Sequence, residues 1–370
     1  MRKAILRLDA EYSNLGDVAI DVYGIKLFSR LKSCLIIPRA NELSSLLLKH
    51  VYRELNSNMM ITRDIDYYIF GSGRIKGLLT ALGLTILLLI LGFLCKVNII
   101  RKFLDKASDS NSNLKNLVGF SKTLCNSNYL VFSGGGYINT KWLYSLVPII
   151  VTAILFKILN PLGIIVLGAQ SIGPIDTRKG KIFLKILLKL INEIQVRGMI
   201  SKVVAEELTS PEKIKLSVDW GFKVFRDIIK KETLRRTIDK RGICLHVRPW
   251  VMDKFHEYTR LLKKIISNKS GKLLVILMDN SEKDYVNIFI KNLQSIKVVY
   301  PRSLNELVKS IMQCDEVISS SYHLSLLSLA LGKNVTMIVQ DDYYLLKALD
   351  ILSSREIYGL WKFQLKIVKL

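Results

Sequence analysis

The side chain best suited to proton chemistry in this chain is His323, which comes just after a short apolar run and the serines of residues 319–321. A helical pattern begins at Leu324 and ends before Gly332. Imidazole titrates near neutral pH, and the point where a strand ends and a helix begins is the ligand-binding edge of a parallel sheet. His323 is therefore a candidate general acid or base, although a histidine at such a position is also often a helix cap or a packed ring.

Four more charged residues stand at the ends of strand-like segments. Arg248 follows one such segment, where a guanidinium could grip a phosphate or carboxylate through two hydrogen bonds. Arg197 and Asp219 follow two others and could either face a ligand or pair with each other. Asp17 comes just after Gly16, where glycine would allow a tight turn and the aspartate would cap the following helix.

Small and amide residues follow two further strand-like segments, and the sequence predicts that they face a ligand. They are Gly134, Gly135 and Gly136 after the first segment, and Gln170 and Ser171 after the second. Consecutive glycines let a ligand approach the backbone and offer N–H groups to an anion. The glycine run is neither a Walker loop nor a dinucleotide-binding fingerprint, because the other residues of those motifs are absent. The amide and hydroxyl could hydrogen-bond a sugar or phosphate, and the alternative is a structural turn.

Short apolar runs alternate with helical patterns along the chain, which indicates parallel sheets with helices on both faces. The first series of predicted strands is Ala4–Leu8, Cys34–Ile37, Tyr67–Phe70, Tyr129–Phe132, Gly163–Leu167, Glu193–Val196 and Ile214–Ser217. The second series is Gly242–Val247, Leu273–Leu277, Lys297–Val299, Glu316–Ser319 and Val335–Val339.

We predict an α/β fold of two Rossmann-like, doubly wound domains that face a common cleft, as in B-type glycosyltransferases. A chain of 370 residues favours two domains over one. The first domain is predicted to cover residues 1–230 and the second residues 242–370, with its tail packing back on the first. Residues 231–241 are predicted as a basic linker, which could also be the end of a helix. An apolar helix at residues 77–95 is predicted as an insertion.

The charge balance of the chain favours an anionic partner. Lys and Arg number 55 against 31 Asp and Glu, so the formal net charge is +24. The partner could be a phosphorylated substrate, an acidic lipid surface or nucleic acid, and the plainer reading is solvated helix faces. Nucleic acid is the least favoured, because the sequence contains no zinc-finger or RNA-binding signature. The histidines and cysteines lack metal-ligand spacing, so no metal or cofactor is expected and the cysteines are read as buried thiols.

Residues 77–95 form an uncharged run long enough to cross the ~30 Å hydrocarbon core of a bilayer. A true span would place strands of one predicted sheet on opposite sides of the membrane. We therefore expect a helix that lies on, or dips into, the inner face of the cell membrane, on a protein that is otherwise cytoplasmic. A completely buried helix and a real span are the alternatives.

Taken in chain order, these sites resemble the motifs of the polysaccharide pyruvyl transferase family. The matching stretches are Asn14-Leu15-Gly16-Asp17, Gly134-Gly135-Gly136, Gln170-Ser171-Ile172-Gly173-Pro174, Arg197 with Ser201, Val218-Asp219-Trp220-Gly221-Phe222, Arg248-Pro249 and Tyr322-His323. Their order and spacing are more specific than any single motif. The resemblance implies transfer of a pyruvyl group from phosphoenolpyruvate to two hydroxyls of a sugar, which gives a cyclic ketal and phosphate.

The resemblance also assigns roles to residues. His323 would give a proton to the methylene carbon of the donor or take one from a hydroxyl, with Asp17 or Asp219 as the complementary base or as a sugar ligand. The residues expected to bind substrate are Asn14, Gly134, Gly135, Gly136, Gln170, Ser171, Arg197, Arg248 and Ser321. The acceptor would be a saccharide of a cell-surface glycan, and a lipid-linked acceptor would suit the predicted membrane surface.

Three positions depart from the family pattern. Ser321 stands where the family carries an arginine that is expected to help hold phosphoenolpyruvate, Gly198 stands where it carries an acidic residue, and no lysine directly follows Val335–Val339. Two alternatives therefore stay open. One is a glycosyltransferase of the same fold with a nucleotide-sugar donor, and the other is an inactive, membrane-associated family member.

Overall fold

The computed structural model describes residues 3–8, 14–29, 31, 33–37, 59–61, 86–96, 112–233, 242–248, 254–266, 272–278, 282–283, 286–287, 296–360 and 364–369. The chain divides into two compact units. The first consists of Met1–Glu11, Gly24–Val196 and Val204–Lys215, and the second of Tyr12–Tyr23, Arg197–Val203 and Leu216–Leu370. Two short segments and a helix that the sequence assigned to the first domain thus belong to the second unit.

The first unit is built around one sheet. Its described strands are β1 (Lys3–Arg7), β2 (Ser33–Ile37), β3 (Met59–Ile61), β4 (Tyr129–Phe132), β5 (Gly135–Ile138), β6 (Ile164–Ile172), β7 (Glu193–Val196) and β8 (Ile214–Leu216). Their order in the sheet is β3-β2-β1-β4-β6-β7-β8, with β5 pairing to β6. The neighbouring strands from β3 to β7 in this order pair in parallel, and so do β5 and β6. The chain proceeds outward from β1 in one direction and from β4 in the other, so the topological switch point lies between these two strands.

Helices connect the strands of the first sheet. They are α1 (Leu15–Phe28), α2 (residues 86–96), α3 (Ser112–Asn126), α4 (Leu143–Leu159), α5 (Arg178–Leu190) and α6 (Met199–Glu206). Helix α4 corresponds to the second most apolar segment of the sequence, and it buries Leu146, Ala153 and Phe156. The apolar residues of this segment therefore form part of the core, as expected for a helix that packs beside a parallel sheet.

The second unit contains a six-stranded, fully parallel sheet. Its strands are β9 (Gly242–His246), β10 (Lys272–Ile276), β11 (Ile296–Val299), β12 (Glu316–Ser319), β13 (Asn334–Val339) and β14 (Leu365–Lys369). The order β11-β10-β9-β12-β13-β14 places the switch point between β9 and β12. The helices are α7 (Trp220–Thr233), α8 (Phe255–Ile266), α9 (Leu304–Met312), α10 (Tyr322–Ala330), α11 (Asp342–Ser353) and α12 (Arg355–Tyr358).

The predicted class of two Rossmann-like α/β domains is confirmed, and several details differ. The predicted linker 231–241 begins inside α7, while residues 234–241 and the predicted strand Tyr67–Phe70 lie outside the described residues. The described part of the tail, residues 364–369, contains β14, which pairs with β13, and its alternating lysines suit an edge strand of the second sheet.

Two predicted loops are largely strand. Gly135 and Gly136 belong to β5, and Gln170 and Ser171 belong to β6, which continues five residues past the predicted end at Leu167. Small and polar residues suggested that each strand had ended. They instead lie inside a sheet that is buried at this point, where small size and hydrogen bonding replace apolar bulk.

The apolar insertion is described only from residue 86 onward. Helix α2 buries Leu88, Leu91 and Cys95, and it packs on α3 through Val118 and through a hydrogen bond from Ser121 Oγ to the carbonyl of Leu88. Its other face exposes large apolar side chains. In the described part of the chain, no helix combines the length and the hydropathy needed to cross a bilayer.

Candidate functional site

The carboxyl ends of β9 and β12 meet at the switch point of the second sheet. Ser319, the last residue of β12, is the register partner of His246, the last residue of β9. Two residues beyond β9, the N–H of Arg248 donates to Ser320 Oγ at 3.1 Å. His323 lies in the first turn of α10, which follows β12. Arg248 and His323 are therefore brought to the same edge of one sheet, where open α/β sheets bind ligands.

The imidazole of His323 lies between two carboxylates. Its Nδ1 is 3.8 Å from Asp17 Oδ1, and its Nε2 is 3.8 Å from Asp219 Oδ2 and 3.5 Å from Arg197 Nη1. The side chain of Asp17 is 35% exposed, whereas that of Asp219 is fully buried. The ring thus has a solvent-accessible carboxylate on one side and an internal one on the other. All four residues belong to the second unit.

Arg197 and Asp219 form a buried ion pair, with 2.7 Å between Nη1 and Oδ2. The guanidinium lies over the ring of Tyr322, 3.9 Å from its centroid. The hydroxyl of Tyr358 donates to the carbonyl of Arg197 at 2.9 Å and accepts from the N–H of Asp219 at 3.2 Å. The sequence left two roles open for Arg197, ligand binding and pairing with Asp219, and the structure shows the pairing. The side chain of Arg197 is 1% exposed.

Each carboxylate oxygen of Asp219 has a fixed partner. Oδ1 accepts from the N–H of Phe222 at 3.1 Å and so caps α7, while Oδ2 accepts from Arg197 and faces His323. Burial alone would raise the pKa of Asp219, but the attraction of Arg197 and the hydrogen bonds from His323 and Arg197 outweigh it and hold the pKa well below its usual range. Asp219 is therefore suited to orient the imidazole and to stabilise its charged form.

The first turn of α1 approaches His323 closely. Asn14 Oδ1 accepts from the N–H of Gly16 at 2.9 Å, so Asn14 caps this helix, and not Asp17 as the sequence suggested. A Cβ on Gly16 would lie 2.4 Å from His323 Nδ1. Gly16 is thus required for this close approach, rather than for a tight turn, and Asp17 in the same helical turn faces the imidazole.

An acidic side chain from α11 fills the space beside Gly198. A Cβ added at Gly198 would lie 2.1 Å from the carboxylate of Asp350, which is fully buried. That carboxylate accepts hydrogen bonds from both the N–H and the Oγ of Ser201 at the start of α6. A carboxylate from a distant part of the chain thus lies beside Gly198, the position where the family resemblance expects an acidic residue.

Arg248 has an internal carboxylate beside it. Glu282 Oε1 lies 3.2 Å from His246 Nε2 and 4.0 Å from Arg248 Nε, and Oε2 accepts from the N–H of Met278 at 2.7 Å. Burial would raise the pKa of Glu282, but these three neighbours outweigh it and lower the pKa. About a quarter of the Arg248 side chain is exposed, so part of it reaches the surface at the switch point.

Ser321 is the N-cap residue of α10, yet its hydroxyl makes no capping hydrogen bond. Its Oγ is buried and has no hydrogen-bond partner among the residues that the structure describes. The backbone is fixed instead, because the N–H of Ser321 donates to Ser319 Oγ and its carbonyl accepts from Ser325 Oγ. A buried hydroxyl without a partner costs about 1–3 kcal/mol, so a polar ligand atom would be favoured there.

The first unit presents neutral groups near its own switch point. Gln170 Nε2 and the hydroxyl of Tyr137 both donate to the carbonyl of Ser133, at 2.6 Å and 2.7 Å. Gln170 Oε1 is buried and lacks a partner within the described ranges. Gly135, at φ 156°, lies beside this oxygen, Gly134 joins β4 to β5, and the remaining predicted residues Gly136 and Ser171 lie within β5 and β6.

Sequence reasoning missed three residues of these clusters, Glu282, Asp350 and Tyr358, which become informative only through contacts with residues far away in the chain. The pKa of Tyr322 and that of Tyr358 are raised, chiefly by burial, which keeps both phenols neutral. Over the portions of the chain that the structure covers, no three or more His, Cys, Asp or Glu side chains are grouped as metal ligands.

Solved structures similar to this chain include UDP-GlcNAc 2-epimerases. UDP-GlcNAc 2-epimerase from Methanocaldococcus jannaschii, in complex with UDP-GlcNAc and UDP, matches with a TM-score of 0.56 and 12% identity over 99% of this chain and 88% of that one. MnaA of S. aureus with UDP matches with a TM-score of 0.56 and 8% identity over 97% of this chain and 86% of that one. At such low identity these matches show the GT-B fold class alone.

A search of curated proteins found no match to the sequence. A family model does match it. The model of the family described as polysaccharide pyruvyl transferase matches residues 8–342, a range that includes every predicted site residue. The chain therefore belongs to the polysaccharide pyruvyl transferase family.

Proposed function

We propose that this protein transfers a pyruvyl group from phosphoenolpyruvate to two hydroxyls of a saccharide that belongs to a cell-surface or lipid-linked glycan. Family membership supports the reaction class. The observation that carries the assignment to residues is the position of His323, between Asp17 and Asp219 and at the same sheet edge as Arg248.

The donor is assigned to the switch point of the second unit. Arg248 offers a partly exposed guanidinium for the phosphate or carboxylate of phosphoenolpyruvate. Ser321 offers a buried hydroxyl without a partner in the described residues, at the N-terminal end of α10, where a helix dipole favours negative charge. Together these groups would hold phosphoenolpyruvate in place of the arginine that the family carries at position 321.

In the proposed reaction, His323 donates a proton to the methylene carbon of phosphoenolpyruvate, which becomes the methyl group, and the first sugar hydroxyl adds to the adjacent carbon. The phosphate then leaves with the carbon–oxygen electron pair, and the second hydroxyl adds to the same carbon to close the ketal. The two hydroxyl protons balance the step, because one restores His323 and the other leaves with inorganic phosphate.

The two carboxylates take different roles in this scheme. Asp219, ion-paired and fully buried, orients His323 and stabilises its charged form. Asp17, which is partly exposed, accepts the proton of an incoming hydroxyl or binds it. Arg197 acts as a positioning residue, because its guanidinium is enclosed by Asp219 and Tyr322. Asn14 holds the first turn of α1, and thereby Asp17, against the ring.

The test is a turnover assay with phosphoenolpyruvate and saccharide acceptors, in which phosphate is measured together with the methyl signal of the ketal by nuclear magnetic resonance. We expect one phosphate per ketal. Formation of phosphate and free pyruvate with every acceptor, or no consumption of phosphoenolpyruvate, would count against the proposal.

The second candidate is a glycosyltransferase that takes its sugar from a nucleotide donor. It is favoured by Ser321, which replaces the family arginine, and by the fold shared with enzymes solved with UDP-GlcNAc or UDP. Thermal stabilisation distinguishes the two candidates, because a ligand stabilises the state that binds it. Stabilisation by phosphoenolpyruvate supports the first, and stabilisation by UDP-GlcNAc alone supports the second. If only the Ser321→Arg variant responds to phosphoenolpyruvate, the natural chain is an inactive family member.

A further inference from the structure

The first unit exposes apolar side chains in a group rather than singly. Leu162, in the loop between α4 and β6, is 94% exposed, and Ile158 and Ile164 on either side of it are also exposed. Single exposed apolar residues are normal on soluble proteins, whereas a cluster marks a surface that contacts another apolar phase.

Two lysines lie near this loop. Lys157 Nζ donates to the carbonyl of Gly163 at 2.7 Å and to Asn192 Oδ1 at 2.9 Å. Lys213 Nζ donates to the carbonyl of Lys189 at 3.1 Å. Burial, together with the positive charge of Lys213, lowers the pKa of Lys157. Because these like charges repel each other, the region favours an anion beside it.

Helix α5 continues the same combination of charge and apolar surface. It packs on the protein through Leu184, Leu187 and Leu188, and it contains no acidic residue. Its five cations are Arg178, Lys179, Lys181, Lys185 and Lys189. Between these cations, Ile182 and Ile186 stand one helical turn apart and are both exposed. An apolar stripe on the outer, cationic side of a helix is typical of helices that lie on acidic membranes. The nearest acidic residue before the helix is Asp176, which is exposed.

Helix α2 contacts the end of α4 next to this loop. A Cβ on its Gly92 would lie 2.4 Å from the side chain of Leu159, three residues before Leu162. The exposed side chains of α2 are Ile86, Leu87, Ile90 and Phe93, and Lys96 follows at its end. The loop with Leu162 therefore lies next to two helices, α2 and α4, that carry exposed apolar residues.

We propose that these residues form one surface, the basic-apolar face, which docks on a bilayer that contains acidic lipids. The face consists of the outward side chains of α2, Leu162 with its flanking isoleucines, and the outer side of α5. The lysines pair with headgroup phosphates while the leucine, isoleucines and phenylalanine enter the boundary between headgroups and acyl chains. A nucleic acid would pair with the same lysines but would leave the apolar residues without a partner. Docking does not depend on pyruvyl transfer, so each proposal can fail alone.

The test uses the full chain and two kinds of vesicles, one of phosphatidylcholine and one of phosphatidylcholine with an equal part of phosphatidylglycerol. Sedimentation with the vesicles measures the partition constant. We expect strong binding to the acidic vesicles only, weakened by salt. The variant Leu162→Glu and the double variant Lys181→Glu with Lys185→Glu should each lower the partition constant about tenfold or more.

Matched controls lie on the second unit. Leu349→Glu changes a leucine that is exposed on α11, and the double variant Lys297→Glu with Lys366→Glu reverses two exposed lysines of β11 and β14. Both controls should bind like the wild type. The proposal is overturned if both vesicle types bind equally or not at all, or if the controls lose as much binding as the test variants. Because Leu162 is almost fully exposed, its substitution leaves folding intact, which thermal melting verifies.

Discussion

The switch points of the two sheets differ in chemistry although their topology is alike. In the second unit, Arg197, Asp219 and His323 form a buried charged cluster in which Asp219 uses both of its oxygens. In the first unit, Gly135 and Gln170 offer neutral groups, although the buried Arg7 ends β1 at the same switch point. Gln170 also keeps a buried carbonyl oxygen that has no partner in the described ranges.

This difference indicates a division of labour. A cluster of fixed charges stabilises charge that develops during a reaction, because its dipoles need no rearrangement. Neutral amides and glycines recognise the hydroxyls of a sugar at little desolvation cost. The comparison therefore favours proton transfer and donor binding in the second unit, and we propose that the neutral groups of the first unit recognise acceptor hydroxyls.

The largest expected effect follows from breaking the buried ion pair. Asp219→Ala leaves the charge of Arg197 uncompensated in the interior, which should lower the free energy of unfolding by about 3–5 kcal/mol. Urea denaturation measures this change. Asp342→Ala breaks the exposed pair with Lys369 and should cost about 0–1 kcal/mol. Equal losses in the two variants would contradict a special role of the buried cluster.

Acidification tests the same cluster without a change in volume. The folded-state pKa of Asp219 is depressed, so its contribution to stability is fully present above the ordinary aspartate pKa of about 3.9 and declines as the pH falls below it. Asp219→Asn should lose this part of the acid sensitivity. If the stability of the variant depended on pH as that of the wild type does, Asp219 would make no contribution to acid unfolding.

Donor binding gives the next largest effect. Arg248→Ala should lower kcat/KM and thereby cost about 2–4 kcal/mol of transition-state stabilisation, because its guanidinium is proposed to bind the phosphate or carboxylate of the donor. The control is Arg260→Ala, which removes an exposed arginine of α8. Steady-state phosphate release at varied phosphoenolpyruvate concentration gives kcat/KM for both variants. Equal values of kcat/KM for the two variants would contradict donor binding by Arg248.

A pair of glycine variants tests the close approach to His323. Gly16→Ala places a methyl group 2.4 Å from Nδ1, so it should displace the ring and lower kcat by about 10²-fold. Gly119→Ala lies in α3 with nothing within 4 Å of the new Cβ. It should leave kcat unchanged and raise helix stability by about 0.5–1 kcal/mol. Normal kcat in the Gly16 variant would contradict the geometry proposed for the imidazole.

The smallest effect is expected in the first unit. Gln170→Leu should raise the KM for the acceptor about tenfold and change kcat little, because it removes hydrogen bonds made equally to substrate and transition state. Gln195→Leu on β7 serves as the matched control. A large fall in kcat with unchanged KM would contradict the division of labour between the units.

Much of the fold could be predicted from local patterns. The strands Tyr129–Phe132, Glu193–Val196 and Glu316–Ser319 have the predicted bounds. The first is a short apolar run, as is typical of a strand buried on both faces, and the second alternates polar and buried apolar residues, as is typical of a half-buried strand. The strand Gly135–Ile138 was missed, because its glycines suggested a loop, and Leu365–Lys369 was missed, because its lysines gave it the polar pattern of an exposed edge.

The site could be predicted only in part. His323, Arg197, Asp219 and Arg248 were predicted as site residues because each follows a recognisable strand, and the structure brings the first three into one cluster. Asp350 contacts Ser201, which lies 149 positions away in the chain, and no local sequence pattern predicts this contact. The same holds for the remaining missed groups, since each depends on tertiary packing rather than on a pattern within one element.

The most direct test of the central claim compares two histidines. His323→Asn should lower phosphate release from phosphoenolpyruvate in the presence of acceptor by about 10²–10⁴-fold, because proton transfer to the methylene carbon loses its donor. His256→Asn, which changes an exposed histidine of α8, should release phosphate at the wild-type rate. Undiminished phosphate release by the His323 variant would contradict the account.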